Sequence, residues 1–306
     1  MARQAGATAT VESVPLLPIR QGVAPSYMWV QEADPGLALA YLLARFADVT
    51  EATWRDRMAR REVVDGSGMV LAPDSLLRRG LRIWYYRELD DETPIPFEEQ
   101  ILFRDAHLLV VDKPHFLPTT PGGRFLHESL LVRLKRKLGE EQLIPIHRLD
   151  RETAGVVLFS LRLETRGAYQ SLFQQRSVEK VYEAIAPAMP GRQFPFVHRS
   201  RMVDGTPFFR MEEAPGEPNS ETLVDVIEDR GEMVLYRLQP HTGRKHQLRL
   251  HMASLGAPIL NDAFYPEALP IKEDNFTKPL KLLARAIAFD DPLSGERRRF
   301  ESVRTL

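Results

Sequence analysis

The apolar residues of this chain come in short runs, such as residues 108–111 (LLVV), 156–159 (VVLF) and 233–236 (MVLY), each cut off by charged or turn-forming neighbours. No run approaches the length of a membrane span, so the chain must build its cores from short strands and amphipathic helices. With no cysteine anywhere in the sequence, disulfides, thiolate catalysis and cysteine-ligated zinc are excluded, and stability rests on burial. A length of 306 residues at 43% hydrophobic content is enough for one large domain and a smaller one. The N-terminus lacks the continuous apolar core of a signal peptide, so a cytoplasmic protein is expected.

Punctuation divides the chain. Residues 1–25 are small, polar and broken by proline, and are expected to form a flexible tail. Residues 26–92 read as a small helix-helix-strand unit. Its first helix is expected at Asp34-Pro35, with Asp as N-cap and Pro at the first helical position, and its second from about Glu51 to Arg61. Val63-Val64 and the alternation from Leu81 to Tyr86 read as strands. The acidic, proline-bearing stretch 88–99 looks like a linker. From residue 93 to 306 strands dominate, with hairpin-like pairs such as ETLVDVIED and MVLYRLQP and with helices at SLLVRLKRKLG and RGAYQSLFQQR. The expected class is α+β, with a mixed, mostly antiparallel sheet.

Net charge is −1, from 41 basic and 42 acidic residues, so whole-protein electrostatics announce no polyanion partner. The basic residues are clustered, however: Arg55, Arg57, Arg60 and Arg61; Arg133 to Lys137; Arg244, Lys245 and Arg249; and Arg297 to Arg299. Each cluster alone reads as a solvated face, and only convergence in space would make an RNA-binding surface. The expected RNA contacts are Arg55, Arg57, Arg60 and Arg61, close enough on one helix to grip phosphates, together with Arg244 and Lys245.

Two stretches stand out. IHRLDRETAG, residues 146–155, crowds five ionisable side chains immediately before an apolar strand. It reads either as a solvated turn or as a catalytic loop held at the edge of a core. HTGRKHQLRLHMASLGAP, residues 241–258, reads as a helix capped by Thr242, with Leu248, Met252 and Leu255 as its buried stripe and Gly256 with Pro258 as its stop. Its histidines, His241, His246 and His251, are spaced by five residues, which does not align imidazoles on one helix face, and no metal is expected.

HRLDRETAG, VEKVYEAI, HTGRKHQLRLHMASLGAPILNDAFY and LLARAIAFDDPLSGE, in this order and at these separations, resemble the RluA-type pseudouridine synthases. The resemblance spans about residues 100–306. More weakly, the N-terminal unit is similar to the small RNA-binding module that precedes the catalytic domain in many of these enzymes. The resemblance implies isomerisation of a uridine in structured ribosomal or transfer RNA, with neither cofactor nor metal, by a protein expected to be a monomer. It makes Asp150 the essential carboxylate, acting as nucleophile on C1′ or as base toward C2′, with Tyr182 and Arg249 as its catalytic companions. It also makes Arg148 the arginine that helps fill the stack vacated by a flipped nucleotide.

The residues can be read without the family. An Asp that works ionised in a dry pocket needs a cation close by to repay its desolvation, and Arg249 is the candidate, although alone it reads as a surface helix arginine. Tyr182 could stack on a base and relay a proton at C5, or be a core-edge aromatic. Arg148 suits stacking and phosphate contact, or a salt bridge to Glu152; His147 and Thr153 are expected to shape the loop. Ala154, Asn261 and Leu283 depart from the family's frequent serine, glycine and histidine. Two rivals remain: a catalytically silent RNA-binding or chaperone protein on the same fold, and a glycosidase, which normally needs a pair of carboxylates where the motif supplies one.

Overall fold

The computed structural model describes residues 16–89, 91–269 and 275–306. The chain divides into two compact units, Met1–Asp90 and Asp91–Leu306. In the first, β1 (Ser26–Trp29), α1 (Ala38–Arg45), α2 (Glu51–Ala59), β2 (Val63–Asp65) and β3 (Arg82–Tyr85) follow one another, and the sheet runs β1-β3-β2. Trp54, Leu42 and Ile83 anchor its core. The first helix begins later than Asp34-Pro35 suggested: Gly36 has φ +70° and Leu37 is the N-cap. Thr50 caps α2 through the amide of Thr53. Most of the expected tail, residues 1–15, lies outside the described residues; in its remainder Leu17 and Val23 are buried.

The second unit contains β4 (Gln100–Arg104), β5 (Leu108–Lys113), α3 (Leu130–Leu138), β6 (Ile144–Pro145), β7 (Ala154–Ser160), α4 (Leu163–Gln174), β8 (Glu179–Pro187), β9 (Phe196–Asp204), β10 (Met211–Ala214), β11 (Ser220–Arg230), β12 (Met233–Pro240), α5 (Gln247–Ser254), β13 (Leu282–Asp290) and β14 (Arg297–Glu301). Eleven strands form one sheet in the order β10-β9-β11-β12-β8-β13-β7-β5-β4, with β14 paired to β13 and β6 to β7. Every pairing is antiparallel except β13 with β7.

The unbroken apolar runs of β5 and β7 follow from burial on both faces. Leu109, Val111, Val157 and Phe159 face the core that includes Leu130 and Leu134 of α3. Their neighbours Leu108, Val110, Val156 and Leu158 face Tyr169 of α4.

The parallel pair fixes where the charged loop ends. Leu283 and Ala154, then Ala284 and Gly155, lie side by side. Gly155 has φ +116°, and a Cβ there would sit 2.2 Å from the Ala284 carbonyl oxygen; only glycine permits this approach. Gly155→Ala should therefore destabilise the large unit by roughly 3 kcal/mol or more. A chemical-denaturation midpoint equal to wild type would contradict it. Asn261, where the family often has glycine, has φ +65°, a left-handed conformation that asparagine tolerates next best.

Candidate active site

The loop between β6 and β7 is held by His147, Thr119 and Lys113, and its Arg148, Asp150 and Arg151 line a cleft. The Leu158 amide donates to His147 Nε2 at 3.2 Å, and that imidazole stacks on Phe173. Thr119 Oγ1 donates to the Leu149 carbonyl, and the Thr153 amide to the Asp150 carbonyl. Lys113, at the end of β5, is fully buried and donates to the carbonyls of Pro114, Leu117 and Arg151. Burial pushes its pKa down to about 7. It ties the strand end to the loop.

The second stretch is built differently from expectation. Thr242 does not cap the helix: α5 starts after His246, a left-handed residue with φ +55°. Instead the Thr242 hydroxyl donates to Gln247 Oε1, which also accepts the Arg244 amide, while Gln247 Nε2 donates to the Glu221 carbonyl and Thr222 Oγ1. These bonds lock residues 241–247 against β11.

Arg249 is not a surface arginine. It is 1% exposed, and its guanidinium grips Asp262 with two bonds, Nε to Oδ2 at 2.8 Å and Nη2 to Oδ1 at 2.6 Å. Its remaining nitrogen, Nη1, lies 3.4 Å from Asp150 Oδ2 and 3.7 Å from Glu152 Oε2. Burial alone would lower its pKa, but the Asp262 bonds and the neighbouring carboxylates more than reverse this, and it stays charged. Glu152 is held ionised: the Arg249 and Arg151 charges outweigh its burial. Asp262 also accepts the amides of Phe264 and Tyr265. It therefore fixes the guanidinium as one arm of a fork that points at Asp150.

Asp150 opens into a cleft of ≈ 820 Å³ that is also lined by Arg148, Tyr182, Arg244, Lys245 and Arg249. Burial and the Asp150 charge raise the Tyr182 phenol, which stays protonated. Arg148 is exposed, and the salt bridge to Glu152 is not made: Glu152 pairs with Arg151 and Arg249. Lys180 and His246 also line the cleft. Lys180 donates to the Thr242 carbonyl, and burial lowers its pKa to about 8. His246 Nε2 stands 3.9 Å from Asp150 Oδ2, and its Nδ1 meets the Tyr265 hydroxyl at 3.1 Å.

The arginines of α2 belong to the other unit and are largely committed. Arg57 is buried against Trp54 and bonded to Glu88, Arg60 pairs with Asp56, Glu62 and Glu88, and Arg55 pairs with Glu51. Of the four expected RNA contacts, only Arg61 is exposed without an ion pair among the described residues.

The spaced histidines do not converge: His241 and His246 line the cleft, whereas His251 bonds Thr222 and Ser220 through its two nitrogens. A different set, His198, Glu213 and His251, brings ligand atoms within 4.8 Å of one another. There His198 Nε2 meets Glu213 Oε1 at 2.9 Å, closing a hydrogen-bond network with the Ser200 and Ser220 hydroxyls.

Burial holds three histidines neutral, His115 at about 4, His147 at about 3 and His251 at about 4, below the ordinary 6.5. The unfolded chain protonates these histidines first, so their destabilising effect is absent above about pH 6.5 and grows toward pH 4, by up to about 1.4 kcal/mol per pH unit for each histidine. Equal denaturation midpoints at pH 7 and pH 5 would contradict this.

Residues 107–254 match the RNA pseudouridylate synthase family. The chain is 32% identical over 219 residues to a dual-specificity RNA pseudouridine synthase RluA of Haemophilus influenzae, covering 66% of this chain and 91% of that protein. It is 28% identical to an uncharacterized RNA pseudouridine synthase of Synechocystis, covering 76% of this chain and 81% of the relative. The structure of human RNA pseudouridylate synthase domain containing 4 superposes with TM-score 0.52 at 26% identity, over 66% of this chain and 87% of that one. The fold and these relatives define an isomerase acting on RNA. The chain belongs to the RluA-type RNA pseudouridine synthases.

Proposed function

We propose that this enzyme isomerises a uridine in structured ribosomal or transfer RNA, flipping the nucleotide into the cleft at Asp150. The observation that carries the reading is the fork of Arg249, clamped by Asp262 and aimed at Asp150, the one carboxylate among the described residues that lines the cleft. In the reaction the N1–C1′ bond breaks and a C5–C1′ bond forms; one proton leaves C5 and one is taken up by N1. Asp150 serves either as the nucleophile at C1′ or as the base at C2′. Tyr182, whose phenol starts protonated, supplies a stacking plate for the base and the group that relays the proton at C5. Nucleotide flipping costs a few kcal/mol. Arg148, free of Glu152, is placed to offset it by stacking or by holding a phosphate, with Arg244 and Lys245 on the same rim. In the small unit Arg61, in the turn that follows α2, is the remaining candidate of that cluster for phosphate contact.

Nucleoside analysis of RNA incubated with the protein tests the reaction. Isomerised uridine is expected; free uracil would indicate a glycosidase, and unchanged RNA a silent binder. Mapping pseudouridines in a strain lacking the protein should show lost sites that name the target RNA.

A further inference from the structure

The sheet of the small unit has two unlike faces. Met28, Ile83 and Tyr85 face the core with α1 and α2. On the opposite face Leu17, Val64, Trp84 and Tyr86 form a separate cluster, and beyond it the same face continues as Tyr27 and Trp29, 49% and 47% exposed. Tyr27 pairs with Trp84 and Trp29 with Arg82 across β1 and β3, so the four side chains share one side. Tyr27 lies 4.9 Å from Trp84 between ring centroids. The Arg82 guanidinium is 4.3 Å from the Trp29 centroid and 5.0 Å from that of Tyr27. Two half-exposed rings are thus held in place before any ligand arrives.

The charges beside them favour a polyanion. The turn from Arg78 to Gly80 is bonded to the end of β1, the Gly80 amide donating to the Val30 carbonyl at 2.8 Å and the Leu81 amide to that of Arg78 at 3.1 Å. Arg78 and Arg79 are exposed there, and among the described residues neither makes an ion pair. Arg55, Arg57 and Arg60 of α2 do.

We propose that this face binds unstacked nucleotides of an RNA strand, their bases stacking on Trp29 and Tyr27 and their phosphates meeting Arg78 and Arg79. Rings and unpaired arginines together choose the occupant. A duplex offers phosphates but no open base face, and an apolar protein surface would leave two arginines without partners. The proposal rests on the enzyme's action on RNA and adds a single-stranded segment to what it recognises.

The test uses the full chain and a labelled oligouridylate about ten nucleotides long, a length within the range of single-strand binding sites. Trp29→Ala and Tyr27→Ala should each weaken binding about tenfold, and Trp29→Phe, which keeps a ring, by about threefold or less. The pair Arg78→Glu and Arg79→Glu, in an exposed turn, should flatten the salt dependence by about 0.7 in log–log slope for each lost phosphate contact. Wild-type affinity in the Trp29→Ala, Tyr27→Ala double variant would overturn the proposal, as would an equal loss for duplex RNA. Pseudouridine formation is measured alongside. A wild-type protein that modifies RNA while the double variant binds oligouridylate unchanged sinks only the platform, whereas a wild-type protein that forms no pseudouridine sinks the functional reading.

Discussion

Arg249→Leu should lower stability by about 3–5 kcal/mol, because it leaves the buried carboxylate of Asp262 without its partner. Where the variant remains folded, its single-turnover rate should fall at least about a hundredfold, the order of loss seen when one aimed electrostatic contact leaves an active site. RNA affinity should change by about threefold or less, since a guanidinium 1% exposed and committed to protein carboxylates has little left for phosphate. Arg249→Lys separates the two effects. It keeps a cation for Asp262 but loses the planar fork, so more of the stability should survive than of the rate. If affinity collapses while the single-turnover rate persists, Arg249 is a phosphate ligand and the clamp is misassigned.

The residues that gather at the cleft were more legible than the groups that support them. The motif placed Asp150, Tyr182 and Arg249, and all three line one cleft. Reading them as residues alone left Arg249 on a helix surface, because a helix of only eight residues, buried along most of its length, has too little solvated face for periodicity to show. Asp262 stood inside a quoted motif yet went unread: a carboxylate thirteen positions from its arginine shows no sequence pattern that reports the pairing. Lys113 was hidden for the opposite reason. A lysine before proline at a strand end looks solvated, and only the three carbonyls gathered around it explain its burial.

Fold legibility followed burial. Strands β5, β7 and β12 were visible as apolar runs, whereas β9, whose part-buried and exposed residues alternate over most of its length and include His198, Arg199 and Arg201, had no apolar run. The Thr242 cap failed because its hydroxyl had a stronger local use, bonding Gln247 and the Glu221 amide. The arginines of α2 were read as a phosphate grip because sequence spacing shows their shared helix but not Glu88, which arrives from thirty-one residues away to pair with Arg57.

Asp150→Asn provides the most direct test of the central claim. The substitution keeps the side chain's size and removes its charge and basicity. Arg249 retains Asp262 and Glu152, so the fold should hold, with a thermal midpoint close to wild type. The measurement is pseudouridine formed in a single turnover, with enzyme in excess over RNA and binding confirmed in the same samples. The account predicts RNA bound about as tightly as by wild type and no detectable pseudouridine. Isomerisation within roughly tenfold of the wild-type rate, a barrier change of only about 1.4 kcal/mol, would contradict it and remove Asp150 from the chemistry.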